Sequence, residues 1–276
     1  MADDGRRPWR VQSQPVSTSG IPAAASADDR AVTAERCAAQ LLGGDRAGSP
    51  VEVARRLLAI QAQDLRGARL AIRARSAGLS ASDVGSARTR RSMIVTWLNR
   101  GTLHLVRAGP VAGRDQAFVL TRDWLGAPPP AMGREAALGE LARRYLAGHG
   151  PAADRDLARW AGIGRRDARL GLARCGAVQR ADRLAEMPAR PRRVAAAPPP
   201  RLPGAFDPLL PGWASRDPIT GPHRRIVTAG GLFRPFALAG GRAVATWTIR
   251  MAGSCSRRSP NSTPRPARHW IPTPPT

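Results

Sequence analysis

The chain has 276 residues, and all 44 of its basic residues are arginine; against 20 acidic residues they leave a formal net charge of +24. That balance suits a polyanionic partner, and the uneven placement says more than the total: residues 51–107 hold 11 arginines against 3 acids, whereas residues 1–50 balance 6 against 6. No apolar run reaches membrane-spanning length and no signal-peptide core opens the chain, while Cys37, Cys175 and Cys255 are too dispersed for a disulfide framework or a zinc site, so a cytoplasmic protein without metal or membrane attachment is expected.

Residues 1–30 mix Pro, Ser, Ala and Asp without periodicity and read as a disordered leader or an over-extended start. Ser49-Pro50-Val51-Glu52 then reads as a helix start, with Ser49 capping and Glu52 reaching back. Val53, Leu57 and Ile60 follow at i, i+4 and i+7, one buried face. Gln61 and Gln63 would stand about 200° apart on a helix but on the same side of an extended segment. If both serve one pocket, the helix ends near Gln61, and Gly67 is the expected break. Arg66, Arg69 and Arg73 would then share a face of the next helix.

Ser80 to Asp83 starts another helix, and Met93–Leu98 and Thr102–Val106 form a hairpin around Asn99-Arg100-Gly101. Helices followed by a hairpin are the winged-helix order. His104 alternates with Leu103 and Leu105 as on a half-buried strand, which makes it a supporting residue behind the site rather than a reacting one. Residues 108–187 repeat the scheme. Gln116–Leu120 is strand-like, Arg134–Ala147 is an amphipathic helix stopped by His149-Gly150-Pro151, Asp154 is positioned to cap the helix through Trp160, and Gly162 turns the chain into Arg165–Arg174. Arg165 and Arg169 face one way on that last helix, as phosphate contacts or as solvated charge, and Trp160 joins the core with Leu157. Ala189–Pro203 reads as a Pro/Ala/Arg linker, and Gly230–Ala239 and Arg242–Trp247 read as strands joined at Gly240-Gly241. The tail beyond Gly253 has no periodicity and is expected to be disordered.

Gln61-Ala62-Gln63, with Thr102-Leu-His-Leu-Val106 downstream, resembles the Gln-hydrophobic-Gln signature of the AlkZ-like winged-helix family, whose characterised members are bacterial DNA glycosylases that unhook alkylated purines. Further stretches, Tyr145–Gly162, Gly204–Arg216 and Gly230–Trp247, are similar to that family in the same order. The resemblance implies tandem winged helices and a β-barrel that embrace DNA, with Gln61 and Gln63 as catalytic residues holding the nucleophilic water and the lesion-bearing nucleotide. The chemistry agrees: a purine alkylated at N7 already carries positive charge, so its glycosidic bond needs a positioned water more than a strong general acid. A glutamine carbonyl accepts from that water while its NH2 donates to sugar or phosphate.

Two departures accompany the resemblance. Only Arg107–Asp115 intervenes where the family carries a much longer stretch, as if a middle module were lost, and the sequence after about Arg250 leaves the family pattern as a frameshifted end would. The expected fold is α+β: a first winged-helix module at 31–107, a second at 108–187, a linker at 188–203, a small incomplete β-barrel at 204–250 and a tail at 251–276. The expected partner is double-stranded DNA, bound by a monomer without cofactor or metal through Arg66, Arg69, Arg73, Arg100, Arg165 and Arg169, with His104 behind Gln61. A non-catalytic winged-helix regulator and an inactive truncated family member are the alternatives.

Overall fold

The computed structural model describes residues 9–15, 26–108, 132–188 and 198–251, so the strand expected at Gln116–Leu120 and nearly all of the tail lie outside it. The chain divides into a large unit, residues 13–248, and a small one, residues 1–12 with 249–276. In the small unit the described residues are strand ends: 9–12 of β1 (Trp9–Pro15) and 249–251 of β8 (Arg242–Met251). Contrary to the disordered leader expected at 1–30, that stretch therefore holds β1, and from Ala27 it holds the first turn of helix α1 (Ala27–Ala39).

In the large unit, α2 (Pro50–Leu57) starts as its sequence directs. Ser49 Oγ accepts the Glu52 N–H at 3.2 Å, and the Glu52 carboxylate reaches past the cap residue to the Gly48 N–H at 3.1 Å. The helix stops at Leu57, four positions before Gln61, because Leu58 takes a positive φ of 64°. Strand β2 (Ile60–Gln61) follows, and Asp64 caps α3 (Leu65–Ala74) through the Arg66 N–H at 2.9 Å. Gly67 is not the break: it lies in the first turn of α3, where an added Cβ would collide with the Ala205 carbonyl oxygen. Local sequence reads a glycine as a stop, but here it admits a backbone from far along the chain. Ser80 and Asp83 form a reciprocal cap on α4 (Ala81–Thr89), the Asp83 carboxylate accepting the Ser80 N–H at 2.7 Å.

The expected hairpin is present as β3 (Met93–Leu98) and β4 (Thr102–Arg107), with Leu98 opposite Thr102 and Thr96 opposite His104. Arg100 (φ 56°) and Gly101 (φ 66°) both take the left-handed conformation that closes so short a turn. β2 adds to the other edge of β4, giving the order β2-β4-β3 over a core of Val53, Leu57, Ile60, Ile72, Met93 and Leu105.

Three helices follow: α5 (Arg134–His149), α6 (Asp154–Ala161) and α7 (Arg165–Arg174), then two short paired strands, β5 (Val178–Gln179) and β6 (Ala185–Glu186). Asp156, not Asp154, closes the start of α6 by accepting the Ala153 N–H at 2.9 Å. Gly162 (φ 72°) makes the turn into α7. Tyr145 and His149 stack with ring centroids 4.8 Å apart, and Trp160, 6% exposed, packs on both. His149 is fully buried, and that burial lowers its pKa to about 3.

The end of the expected linker belongs to the last segment of the unit. Arg201 exchanges backbone hydrogen bonds with Leu238, and the Pro203 carbonyl accepts from the Phe236 N–H and the Trp247 indole. The expected hairpin forms from β7 (Phe236–Ala239) and β8, but β7 is shorter than the 230–239 run. The described strands make separate small sheets, one of them pairing β7 with β8, and no closed barrel is formed among the described residues. Residues 204–226 are mostly turns with one short helix, α8 (Asp217–Thr220). Among the described residues no helix is long and apolar enough to cross a membrane.

Buried polar pairs lock these segments together. Arg75, the C-cap of α3, is wholly buried and bidentate on Asp207, at 2.9 and 2.8 Å, and donates to the Gln40 carbonyl at 2.7 Å. Asp207 also accepts the Leu209 N–H, so it orders its own turn while anchoring α3. Arg36 plays the same part for Asp156 at 3.3 Å. Cys37, between Arg36 and Gln40 at the end of α1, is fully buried.

Candidate active site

Gln61 sits on β2 directly opposite His104 of β4. The pairing continues one residue further through the Ala62 N–H, which donates to the Leu103 carbonyl at 2.8 Å, and the chain bends at Gln63 and Asp64 before α3 begins. Ala62 is buried, between the half-buried Gln61 and the exposed Gln63. Gln61 is half-buried and lines a narrow cleft; Gln63 is exposed and stands outside it.

Three segments wall the cleft. Ala59, Gln61, Asn99, Arg100 and His104 come from the β2-β4-β3 sheet and its turn, Trp160 from α6, and Pro208 and Pro211 from the turn that Asp207 holds. The enclosed space has room for a water molecule, not for a purine. His104 is 7% exposed, and burial, together with the charge of Arg100, outweighs a bond to Thr102 and lowers its pKa, so the ring is neutral at pH 7. Its Nδ1 lies 2.9 Å from the Thr102 carbonyl, which can only accept. The proton is thereby assigned to Nδ1, and Nε2 keeps its lone pair.

The expected cationic residues divide into three groups. Arg66, Arg69 and Arg73 share the outer face of α3, Arg66 and Arg73 exposed and Arg69 half-buried, and among the described residues none of them forms an ion pair. Arg165 and Arg169 also share a face, on α7, but both are held by Asp154, at 3.1 and 2.7 Å. Burial works against ionisation of Asp154, yet the hydrogen bonds from Arg169 and Arg165 hold its pKa below the usual carboxylate range. Arg100 lines the cleft itself, its pKa lowered first by burial and then by the nearby charge of Arg159. The structure therefore brings Gln61, His104 and Arg100 together and leaves Gln63 and both helical stripes outside the cleft.

Sequence reasoning missed Arg159 and Arg216, which neighbour Arg100 electrostatically. Arg159 follows the apolar positions of α6 at the spacing of its outer face, which was a usable signal. Nothing in the sequence ties Arg216 to either. Trp160 is in the core as expected, but its ring also borders the cleft.

A profile of the DNA glycosylase AlkZ-like family matches residues 54–112 and 105–268, two blocks that overlap from the end of β4 to residue 112. No curated protein matches the chain. Among solved structures, the DNA glycosylase AlkZ of Streptomyces sahachiroi superposes with a TM-score of 0.65 at 21% identity, over 79% of this chain and 87% of that one, a likeness of fold. Since the profile spans well over half of the sequence, the chain belongs to the DNA glycosylase AlkZ-like family.

Proposed function

We propose that this protein is a DNA glycosylase that hydrolyses the N-glycosidic bond of N7-alkylated purines in duplex DNA, without metal or cofactor. The observation that carries the reading is the placement of the Gln61 amide in a water-sized cleft beside neutral His104 and charged Arg100. A water there donates to the Gln61 carbonyl, with the His104 Nε2 lone pair as a further acceptor bordering the cleft, and attacks as the cationic purine leaves. The purine does not enter the cleft. Gln63, exposed two residues beyond Gln61, meets the nucleotide outside it. Neither amide is basic enough to act on a normal nucleotide, whose neutral base leaves far less readily.

We read α2 to α4 with the β2-β4-β3 sheet as one winged helix, and α5 to α7 with β5 and β6 as another. The meeting of the two matched blocks at residues 105–112 supports the loss of a middle module between them. That same feature favours a second reading, a winged-helix protein that binds DNA through its arginines without catalysis. Single-turnover release of N7-methylguanine from duplex DNA under saturating enzyme separates the two. Gln61→Ala and Gln63→Ala are expected to slow release while leaving affinity nearly unchanged. Equal rates in wild type and both variants would remove the enzyme and leave the binding protein.

A further inference from the structure

We propose that Arg100, Arg159 and Arg216 form a seat for a single DNA phosphate at the mouth of the Gln61 cleft. The seat rests on the proposed function and specifies which part of the substrate is held beside the attacking water.

The three arginines come from three parts of the chain. Arg100 is in the β3–β4 turn, against which α6 packs, and its side chain crosses Gly162: an added Cβ there would come within 3.1 Å of Arg100 Cγ. Arg159 projects from the exposed side of α6. Arg216 lays its guanidinium over the Phe233 ring, 5.0 Å from the centroid, and its buried Nε has no hydrogen-bond partner. Burial and mutual repulsion lower the pKa of both Arg100 and Arg216, the latter under the charges of Arg159 and Arg100. Among the described residues none of the three forms an ion pair, although Arg134, Arg165 and Arg169 nearby in the chain are all tied to carboxylates.

Three neighbouring arginines with no counterion among the described residues are costly in isolation, and an anion shared by them removes the cost. A phosphodiester supplies two charged oxygens and suits the forked donors of arginine. Because Arg100 and Gln61 line the same cleft, the phosphate so held flanks the nucleotide whose glycosidic bond faces Gln61. The seat positions the sugar and does not itself react.

The test uses the whole protein and a duplex carrying a stable abasic analogue, so binding is read without base release. Arg159→Gln, a change at an exposed position, is expected to weaken binding about tenfold or more. It should also cut the slope of log affinity against log salt by about 0.9, the value for one phosphate. The triple variant with Arg100→Gln and Arg216→Gln should lose about the same slope, because the three share one phosphate. A single methylphosphonate beside the abasic analogue should weaken wild type and leave Arg159→Gln nearly unaffected. An unchanged slope in the variants, a slope loss near 3 in the triple variant, or an equal loss in Arg134→Gln would each overturn the seat. Base release by wild type with unchanged slopes would overturn the seat alone; loss of slope without base release would overturn the glycosylase and keep the seat as a phosphate site.

Discussion

Helices α3 and α7 carry similar arginine stripes, yet they present different charge to a ligand. On α3 the carboxylate partner, Asp207, is taken by the inward Arg75, and the outward Arg66, Arg69 and Arg73 form no ion pair among the described residues. On α7 the partner, Asp154, lies under the outward face and holds Arg165 and Arg169. The number of arginines is a poor guide to how strongly a face attracts a polyanion. What matters is where the carboxylates sit, and a bound aspartate must be displaced before a phosphate takes its place.

The largest test of this contrast removes the inward partner. Asp207→Ala leaves Arg75 buried and unpaired and is expected to cost about 3–5 kcal/mol, read as a fall in the urea midpoint at pH 7. A loss under about 1 kcal/mol would show that Arg75 finds another partner and that α3 is not anchored there.

Acid separates the two regions along another axis. His149, behind α6, has its pKa depressed to about 3, whereas in the unfolded chain it returns to the ordinary histidine value of 6.5. Between those values only the unfolded state takes the proton, so stability is full above about pH 6.5 and declines by about 1.4 kcal/mol for each pH unit below it. Thermal unfolding from pH 7 to 4.5 should follow that decline, and His149→Gln should flatten it. An unchanged pH dependence in the variant would reassign the acid sensitivity elsewhere.

A smaller effect is expected from Gly67→Ala, which drives a methyl group against the Ala205 carbonyl and should destabilise by about 1–3 kcal/mol. A neutral result would mean that α3 can shift away from the 204–213 turn. Smallest in stability, and most informative about the contrast, is Asp154→Asn. Exposed ion pairs contribute about 0–1 kcal/mol, so little stability is lost, but freeing Arg165 and Arg169 should steepen the salt dependence of DNA binding toward that of the α3 face. If the slope does not change, the α7 face does not meet DNA.

The local parts of this fold were legible in the sequence. Ser49 and Ser80 cap helices, Gly162 turns the chain, and Asn99-Arg100-Gly101 closes a hairpin, all through contacts a few residues long. The Gln61–His104 pairing was half legible: both lay on strand-like runs, but their register needed the sheet order. What escaped was long-range. Gly67 was misread because the backbone that requires it arrives 138 positions later. Asp154 was misread as a cap because its true partners are on the next helix, while Asp156 does the capping. Arg75 with Asp207, and Arg216 beside Arg100, join residues more than a hundred positions apart, and no periodicity records such a meeting.

Cys37 gives this assembly a chemical clock. Burial pushes its thiol up to about 12, close to the Arg75 and Asp207 pair, whereas Cys175 is only partly covered and donates to the Leu172 carbonyl. Near pH 8 only about one Cys37 side chain in ten thousand would be thiolate even if a reagent could reach it. An alkylating reagent should therefore take Cys175 early. Its capture of Cys37 should proceed at the frequency with which α1 lifts from the Arg75–Asp207 junction, so the labelling rate of one sulfur times the opening of that buried ion pair.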